Sequence, residues 1–514
     1  MRPEKNPSRL LSDLVDLLGP AVLAEYGGPV DDARAVRGIT HDSRRVRPGD
    51  VYLALGGSRF HGAEFCDAAA DAGAVAVLTD PDGHDRAAKT GLPVIVVADP
   101  RRHMGRVASW IYDDPVSELN LIGITGTSGK TTVAYLVEAG LRAAGLTTGL
   151  VGTVEIRVGD ERVDSSLTTP EATDLHALFA LMRERGVSAA AMEVSSHALA
   201  LDRVSGARYE VAVFTNLSQD HLDFHADLRE YFDTKARLFT SEFSRIAVVN
   251  LDDRFGRALV DKVAAAGEVP LTTFSADGDP DADWRATDVR LGSDGSSFRV
   301  VGPGGIEADA SVALPGPFNV ANALAAIVGL VEAGIGLSSA VAGVAALTGV
   351  PGRMERVDAG QDFTAVVDYS HKPGAIEAVL TALRRITANR LTIVVGCGGD
   401  RDRAKRPLMG EAAARLADSV ILTDDNPRSE DPLEILRAMM SGAAQVPRER
   451  RARVTVEPDR AEAIALAVAR AEPGDCIVIA GKGHEGGQYV RGEVLPFDDR
   501  EVLRAALEHR AGGG

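Results

Sequence analysis

The stretch NLIGITGTSGKTT, residues 120–132, decides the fold. Its first part belongs to a largely apolar run, 119–124, of strand type. Its second part is a glycine-rich turn running into a helical pattern that carries Val133, Leu136, Val137 and Leu141 on one face. Strand, glycine turn and helix in that order read as a phosphate loop. Glycines let the backbone curl so that several N–H groups point at one phosphate, and the helix N-terminus adds its dipole. Lys130 offers a compact charge to the β- and γ-phosphates of ATP, and Thr131 a hydroxyl for Mg²⁺. The usual GxxxxGK[ST] spacing wants glycine at position 124, where this chain has Ile124. Gly126 and Gly129 give GTxGKT instead, so the phosphate contacts are expected from Gly126, Thr127, Ser128, Gly129, Lys130, Thr131 and Thr132. The bland reading is a glycine turn with no ligand.

Outward from this loop the chain keeps alternating between strand-like and helical patterns. Apolar runs at 189–194, 211–217 and 246–250 follow it, which implies a mostly parallel sheet. Upstream, runs at 51–55 and 75–78 belong to a small α/β unit, and Pro100 and Pro115 bracket a helical stretch before a boundary. Downstream of Pro351-Gly352-Arg353, runs at 365–367, 391–395, 420–423 and 476–480, with a helical stretch at 407–417, give a doubly wound pattern. The expectation is an α/β chain of three units, 1–115, 116–350 and 351–514. The uncharged segment 333–350 has the length of a membrane span, but it is rich in small residues and broken by Gly334 and Gly336, so it reads as a pair of core helices. Asp13 and Asp16 interrupt the one apolar stretch near the N-terminus, which is therefore no signal peptide.

Composition narrows the partners. With 56 basic and 74 acidic residues the net charge is −18, and no basic run is present. That speaks against nucleic acid and anionic membranes. The three cysteines lie far apart without CxxC spacing, so neither a disulfide framework nor a zinc site is expected, and a reducing cytoplasm is. Only 8 of the 56 basic residues are lysine, so each lysine raises the question of why arginine would not serve there.

A polar cluster follows the phosphate loop at the ends of the strand-like runs, where open α/β sheets hold ligands. Glu193 precedes Ser195, Ser196 and His197. Asn216, Asp220 and His221 come at or just after the 211–217 run, and Lys235 sits on the helix-like stretch 228–239. Singly, each has a structural reading: a buried salt bridge for Glu193, a helix-face pair for His221 and His225, a solvent-facing lysine for Lys235. Together they look like a Mg²⁺ site facing ATP.

The motifs MEVSSHAL (192–199), FTNLSQDHLDFH (214–225), GPFNVANALAA (316–326) and VVDYSHKP (366–373), with the phosphate loop, resemble those of the Mur ligases, which build the peptidoglycan stem peptide. GCGGDRDRAKRPLMG (396–410), TDDNPR (423–428) and GKGHE (481–485) resemble the members that add diaminopimelate. The resemblance implies an N-terminal unit for the uridine nucleotide, a central ATP unit, and a Rossmann-like third unit that brings the amino acid. It places Ser43 and Ser58 with Arg59 and Phe60 near the uridine diphosphate. Thr168, Thr169, Ser195 and Arg203 fall near the UDP-N-acetylmuramoyl-dipeptide, with Leu201 where some members have a polar residue. Asn319, Asn322, Arg353 and Asp368 fall around adenine and ribose. Thr131, Glu193 and His221 are implied metal ligands, with a CO₂-derived carbamate on Lys235 beside them. Arg401, Asp425, Asn426, Pro427, Arg428, Gly481 and Glu485 are the implied diaminopimelate pocket.

The implied reaction is amide formation through an acyl phosphate, with Lys130, Lys235, Glu193 and His221 as its catalytic set. Both partners of phosphoryl transfer are anions, so the site must supply positive charge. Oxygen ligands suit Mg²⁺, and a histidine among them leaves Mn²⁺ open. Only an uncharged amine reacts with CO₂, which demands a lowered lysine pKa and which arginine cannot provide. A lysine substrate lacks the distal carboxylate that Arg428 and Arg401 could bind, which favours diaminopimelate, meso or LL. L-Lysine ligation, folylpolyglutamate-type ligation, a plain phosphate-loop ATPase and an inactive scaffold are the alternatives. The expected partners are small molecules, the expected state a monomer, and the three units are expected to close around their substrates. Lys372, Lys405 and Lys482 lie in motifs without an assigned role.

Overall fold

The computed structural model describes residues 2–26, 34–57, 59–163, 167–292 and 294–512. Ser58 lies outside them. Among the described residues the chain forms three α/β units, each around its own sheet.

The first sheet has five strands in the order Val22–Tyr26, Val94–Val97, Ala76–Thr79, Asp50–Ala54, Gly38–Thr40. All but the first neighbouring pair run parallel. The helix Pro100–Ile111 covers it, started by proline in its first turn and by the Asp99 carboxylate, which accepts from the N–H groups of Arg101 and Arg102. Its Met104, Val107 and Ile111 pack on Val51, Leu53, Leu78 and Ile95.

The central sheet has eleven strands among the described residues. Asn120–Thr125 lies near its middle, flanked in parallel by Ala189–Glu193 and Tyr209–Phe214, and antiparallel hairpins close both edges. The near-continuous apolar runs foreseen for these strands follow from burial on both faces. The helix Lys130–Ala143 packs between the sheet and two further helices, Pro317–Glu332 and Leu337–Ala346. A Cβ on Gly343 would lie 2.4 Å from Gly140 Cα, so these helices touch backbone to backbone. That contact explains the small-residue composition of 333–350. The segment supplies the turn and one helix of the pair; its partner, Pro317–Glu332, ends before it. No helix among the described residues is long and apolar enough to cross a membrane.

The third sheet has six strands in the order Glu355–Arg356, Thr364–Asp368, Cys476–Ala480, Leu391–Val395, Ser419–Leu422, Arg453–Val456, parallel from the second onward. A fully buried ion pair braces two of its strand ends. Arg460 donates to Asp499 at 2.7 Å from Nε and Nη2, and to the carbonyls of Asp424 and Ala480 at 3.1 and 3.0 Å. One guanidinium thus ties together the loops that follow Ser419–Leu422 and Cys476–Ala480. Replacing Arg460→Ala leaves the Asp499 carboxylate buried and alone, and is expected to cost about 3–5 kcal/mol in urea unfolding of the full chain. A loss below about 1 kcal/mol would mean that the clamp is redundant.

Candidate active site

The parallel register puts the ends of Asn120–Thr125, Ala189–Glu193 and Tyr209–Phe214 side by side, so three loops converge on the phosphate loop. Gly126 has φ +148°, and a Cβ there would lie 2.0 Å from Thr215 Oγ1. No other residue fits this position. Asn216 stitches the loop down: its Oδ1 accepts from Ser128 N–H at 3.0 Å, and its Nδ2 donates to Ser128 O at 3.1 Å. Thr127 Oγ1 lies 3.1 Å from the Tyr231 hydroxyl. Gly129 precedes the first helical residue, Lys130, and Thr131 and Thr132 are buried in the first turn.

Lys130 and Lys235 both donate to the Gly126 carbonyl, each at 2.9 Å. Lys130 also reaches Thr127 O at 3.1 Å. Burial, with Lys372 close by, lowers the Lys130 ammonium to about 8. Lys235 is 1 % exposed, and its ammonium sits 4.8 Å from the centre of the Tyr231 ring. Burial, then Lys130 and Lys372, push it well below the ordinary lysine range. No carboxylate pairs with it among the described residues.

Glu193 is equally buried, at 1 % exposed. Its carboxylate accepts from Thr153 N–H at 2.7 Å and from the Thr153 hydroxyl at 3.0 Å, and no basic side chain pairs with it among the described residues. A buried carboxylate held by neutral donors is suited to a metal cation. His221, at φ +53°, has Nε2 2.9 Å from Asp220 Oδ2, the carboxylate–imidazole pairing that orients a metal-ligating histidine. The donor set therefore fits Mg²⁺, although no group of three or more His, Cys, Asp and Glu side chains gathers as a ready-made metal site among the described residues. The helix-face pairing of His221 and His225 is corrected: both lie in a turn before the helix Leu228–Ala236, and His225 bonds Ser196 at 3.0 Å.

Around this centre, Thr169 donates to Glu193 O at 3.0 Å and Thr168 lies 3.1 Å from Thr153. Ser195 caps the short helix Ser196–Ala200. Arg203 shares the Glu171 carboxylate with Arg101 of the first unit, at 2.9 and 3.0 Å, so the three side chains bridge the first two units. Ser43 sits in a 3₁₀ turn capped by Asp42, and Arg59 and Phe60 are exposed on a later loop. Asn322 Nδ2 donates to Asn319 Oδ1 at 3.0 Å, and Asn319 to Pro315 O at 2.8 Å. Asp368 is occupied by the N–H groups of Met354 and Ser370, both at 2.8 Å, and by the Ser370 hydroxyl.

Two contacts carry the third unit to the phosphate loop. Arg353 donates to Thr131 Oγ1 at 3.2 Å while lying over the Tyr369 ring. Lys372 meets Asp220 at 2.5 Å, both largely buried. Burial alone would raise the Asp220 carboxyl, but Lys372 and His221 outweigh it and hold it well below the usual carboxylate range. The sequence singled out Lys372 and Asp220 separately; nothing in it paired them. Thr153 had no motif at all.

The third-unit residues expected at the diaminopimelate pocket lie on neighbouring loops. Asp425 and Asn426 are buried after the strand Ser419–Leu422. Asn426 Nδ2 donates to Glu485 Oε2 at 2.9 Å. Gly481 N–H donates to Asp368 O. Arg428, at φ +52°, donates to Gly399 O at 2.7 Å, and its backbone is bonded to Tyr489 and Arg491. Pro427 O accepts from Glu430 N–H. Arg401 is exposed, and no carboxylate pairs with it among the described residues. The Ser429 hydroxyl donates to Asp400, and Asp431 caps Pro432–Gln445.

A three-unit α/β fold with a phosphate loop, two amines on one loop carbonyl and a buried carboxylate at the next strand end defines a nucleotide-dependent transfer enzyme. Family models agree with that geometry: "Mur ligase family, catalytic domain" matches 35–112, "Mur ligase middle domain" 124–330, and "Mur ligase, glutamate ligase domain" 352–483. The chain belongs to the Mur ligase family. Two relatives named UDP-N-acetylmuramoyl-L-alanyl-D-glutamate–2,6-diaminopimelate ligase, from Streptomyces avermitilis and Streptomyces coelicolor, are each 58% identical over 511 residues, covering 99% of both chains. A solved structure of a ligase of that name aligns with a TM-score of 0.67 at 34% identity, over 93% of this chain and 96% of its own.

The Lys372–Asp220 contact can be measured by itself. In a double-mutant cycle of Lys372→Met and Asp220→Asn, read by thermal unfolding, the two changes are expected to be non-additive by about 0.5–3 kcal/mol. Strict additivity would mean that the two units are not joined there.

Proposed function

We propose that the chain joins diaminopimelate to the D-Glu γ-carboxylate of UDP-N-acetylmuramoyl-L-Ala-D-Glu with ATP, a step of peptidoglycan synthesis. The units 1–115, 116–350 and 351–514 would take the uridine nucleotide, ATP and the amino acid. The observation that carries this reading is the loop 425–428 held beside Glu485, in a unit whose Arg353 reaches Thr131 of the phosphate loop. Its arginines and carboxylates match a substrate with a zwitterionic far end. A cytoplasmic place of work accords with nucleotide substrates and with three free, buried cysteines.

The chemistry proceeds in two steps. The D-Glu carboxylate attacks the γ-phosphorus, the bond to the β-phosphate oxygen breaks, and ADP leaves an acyl phosphate. The amine then attacks the acyl carbon, the C–O bond breaks, and inorganic phosphate leaves with the amide formed. Lys130 and the N-terminus of Lys130–Ala143 offset the repulsion of the first step. Arg353 and Lys372 add positive charge when the third unit is docked. Thr131, Glu193 and His221 would hold Mg²⁺, or Mn²⁺, which supplies charge neutralisation on the phosphates. Lys235 would complete that set as a carbamate: its neutral amine attacks CO₂, an N–C bond forms and a proton leaves. What supports this is a buried amine, with depressed basicity and no anionic partner among the described residues, sharing a carbonyl with the phosphate-loop lysine.

Phosphate release by the purified protein with ATP and the UDP-linked dipeptide tests the reading. Meso- or LL-diaminopimelate is expected to sustain it, and L-lysine to be slower by about two orders of magnitude, because an arginine would be left unpaired. Equal turnover with lysine, or turnover of a folate instead of the dipeptide, would replace it. For Lys235, the native mass is expected to include one CO₂, and Lys235→Arg to lose about 10²-fold or more in kcat. An uncarbamylated, fully active enzyme would remove the carbamate from the mechanism.

A further inference from the structure

Lys482 is completely buried, yet it lies beside the amino-acid pocket rather than in it. Its ammonium has three donors, and three acceptors surround it: Gly487 O at 2.7 Å, Asn426 Oδ1 at 3.0 Å and Glu485 Oε2 at 3.2 Å. Nothing is left over for a ligand. The consequences fall on its neighbours. Asn426 Oδ1 takes both Lys482 and Tyr489 N–H, at 3.0 Å each, so the amide can be turned only one way. Its Nδ2 must then face Glu485, and it donates to Oε2 at 2.9 Å. Glu485 Oε2 is thereby doubly held, while no protein donor meets Oε1 among the described residues. The free oxygen of a half-exposed carboxylate is the one a ligand's ammonium could reach.

The same ammonium ties in the hairpin Gly487–Val490 and Glu493–Pro496 through Gly487 O. That hairpin in turn holds the loop 425–428 from the other side. Gln488 Nε2 donates to Asp425 O at 2.9 Å, and Arg428 exchanges backbone bonds with Tyr489 and Arg491. The left-handed backbone of Arg428 is a strained state for a non-glycine residue, and it persists because these bonds over-determine it.

We propose that Lys482 is the positioning residue of the amino-acid pocket: it sets the Asn426 amide and the Glu485 carboxylate in the one arrangement that presents Glu485 Oε1 to the incoming amino acid. This rests on the function proposed above. Arginine cannot replace it, because a fork of five donors would exceed the acceptors and the space around a fully buried ammonium.

The test is steady-state kinetics of Lys482→Met, a substitution of similar length without charge. The KM for diaminopimelate is expected to rise about tenfold or more, with the KM values for ATP and the UDP-linked dipeptide within about twofold of wild type. Combined with Glu485→Gln, the loss is expected to be no greater than that of the worse single variant, since both remove the same presentation. Additive losses, or equal rises in all three KM values, would make Lys482 merely structural and overturn the proposal. If Lys482→Met is not recovered folded, Lys482→Gln, which keeps a donor toward Asn426, is expected to give a smaller rise confined to the same KM, and an unchanged KM would overturn the proposal equally. Should the wild type turn over a different amino acid, the function proposed above falls, and the same comparison with that amino acid still decides the role of Lys482.

Discussion

Two lysine amines share one backbone carbonyl, Gly126 O, and the site is arranged around that fact. Burial deprives both amines of water, and Lys372 adds like charge near each. Each is therefore easier to deprotonate than a free lysine. The carbonyl is available to both because Gly126 lies flat against Thr215 and Asn216, where a side chain has no room. Glycine at that point, strand order around it and the depth of the helix Leu228–Ala236 together place the pair. An anion entering this site meets Lys130, with which no carboxylate forms an ion pair among the described residues.

That arrangement resolves the tension between a net charge of −18 and anionic substrates. The surface cannot attract them, so attraction is local. Lys130, Lys372 and Arg353 come from three separate stretches and two units, and Asp220 pairs with Lys372. The third unit contributes charge only when docked on the central one. Domain position and electrostatics are therefore one variable, which suits a reaction whose third substrate arrives last at an activated carboxylate.

Much of this was legible in one dimension. The apolar runs marked the strands they named to within three residues at either end, because both faces of the central strands are buried and a buried strand reads as unbroken hydrophobicity. The phosphate loop was legible because its function is performed by backbone, whose demands on sequence are strict. The lysine scarcity drew attention to residues that proved to be buried or paired: Lys372 on Asp220, Lys405 on His371 O at 3.0 Å, Lys482 on Asn426 and Glu485. Spacing misled where a loop imitated a helix. His221 and His225 are four residues apart, but a left-handed His221 sets them in a turn.

The sequence by itself determined the fold class, the three units, the phosphate loop and the residue types available for chemistry, since these depend on local pattern and on backbone geometry. Which charges meet was decided only by tertiary structure. Thr153 under Glu193, Lys372 on Asp220, Arg460 between two strand ends and Lys482 beneath Asn426 are pairings across 40, 152, 39 and 56 positions of chain. An ion pair or hydrogen bond is selected by distance and burial in three dimensions, and neither quantity is written in the spacing of a single chain.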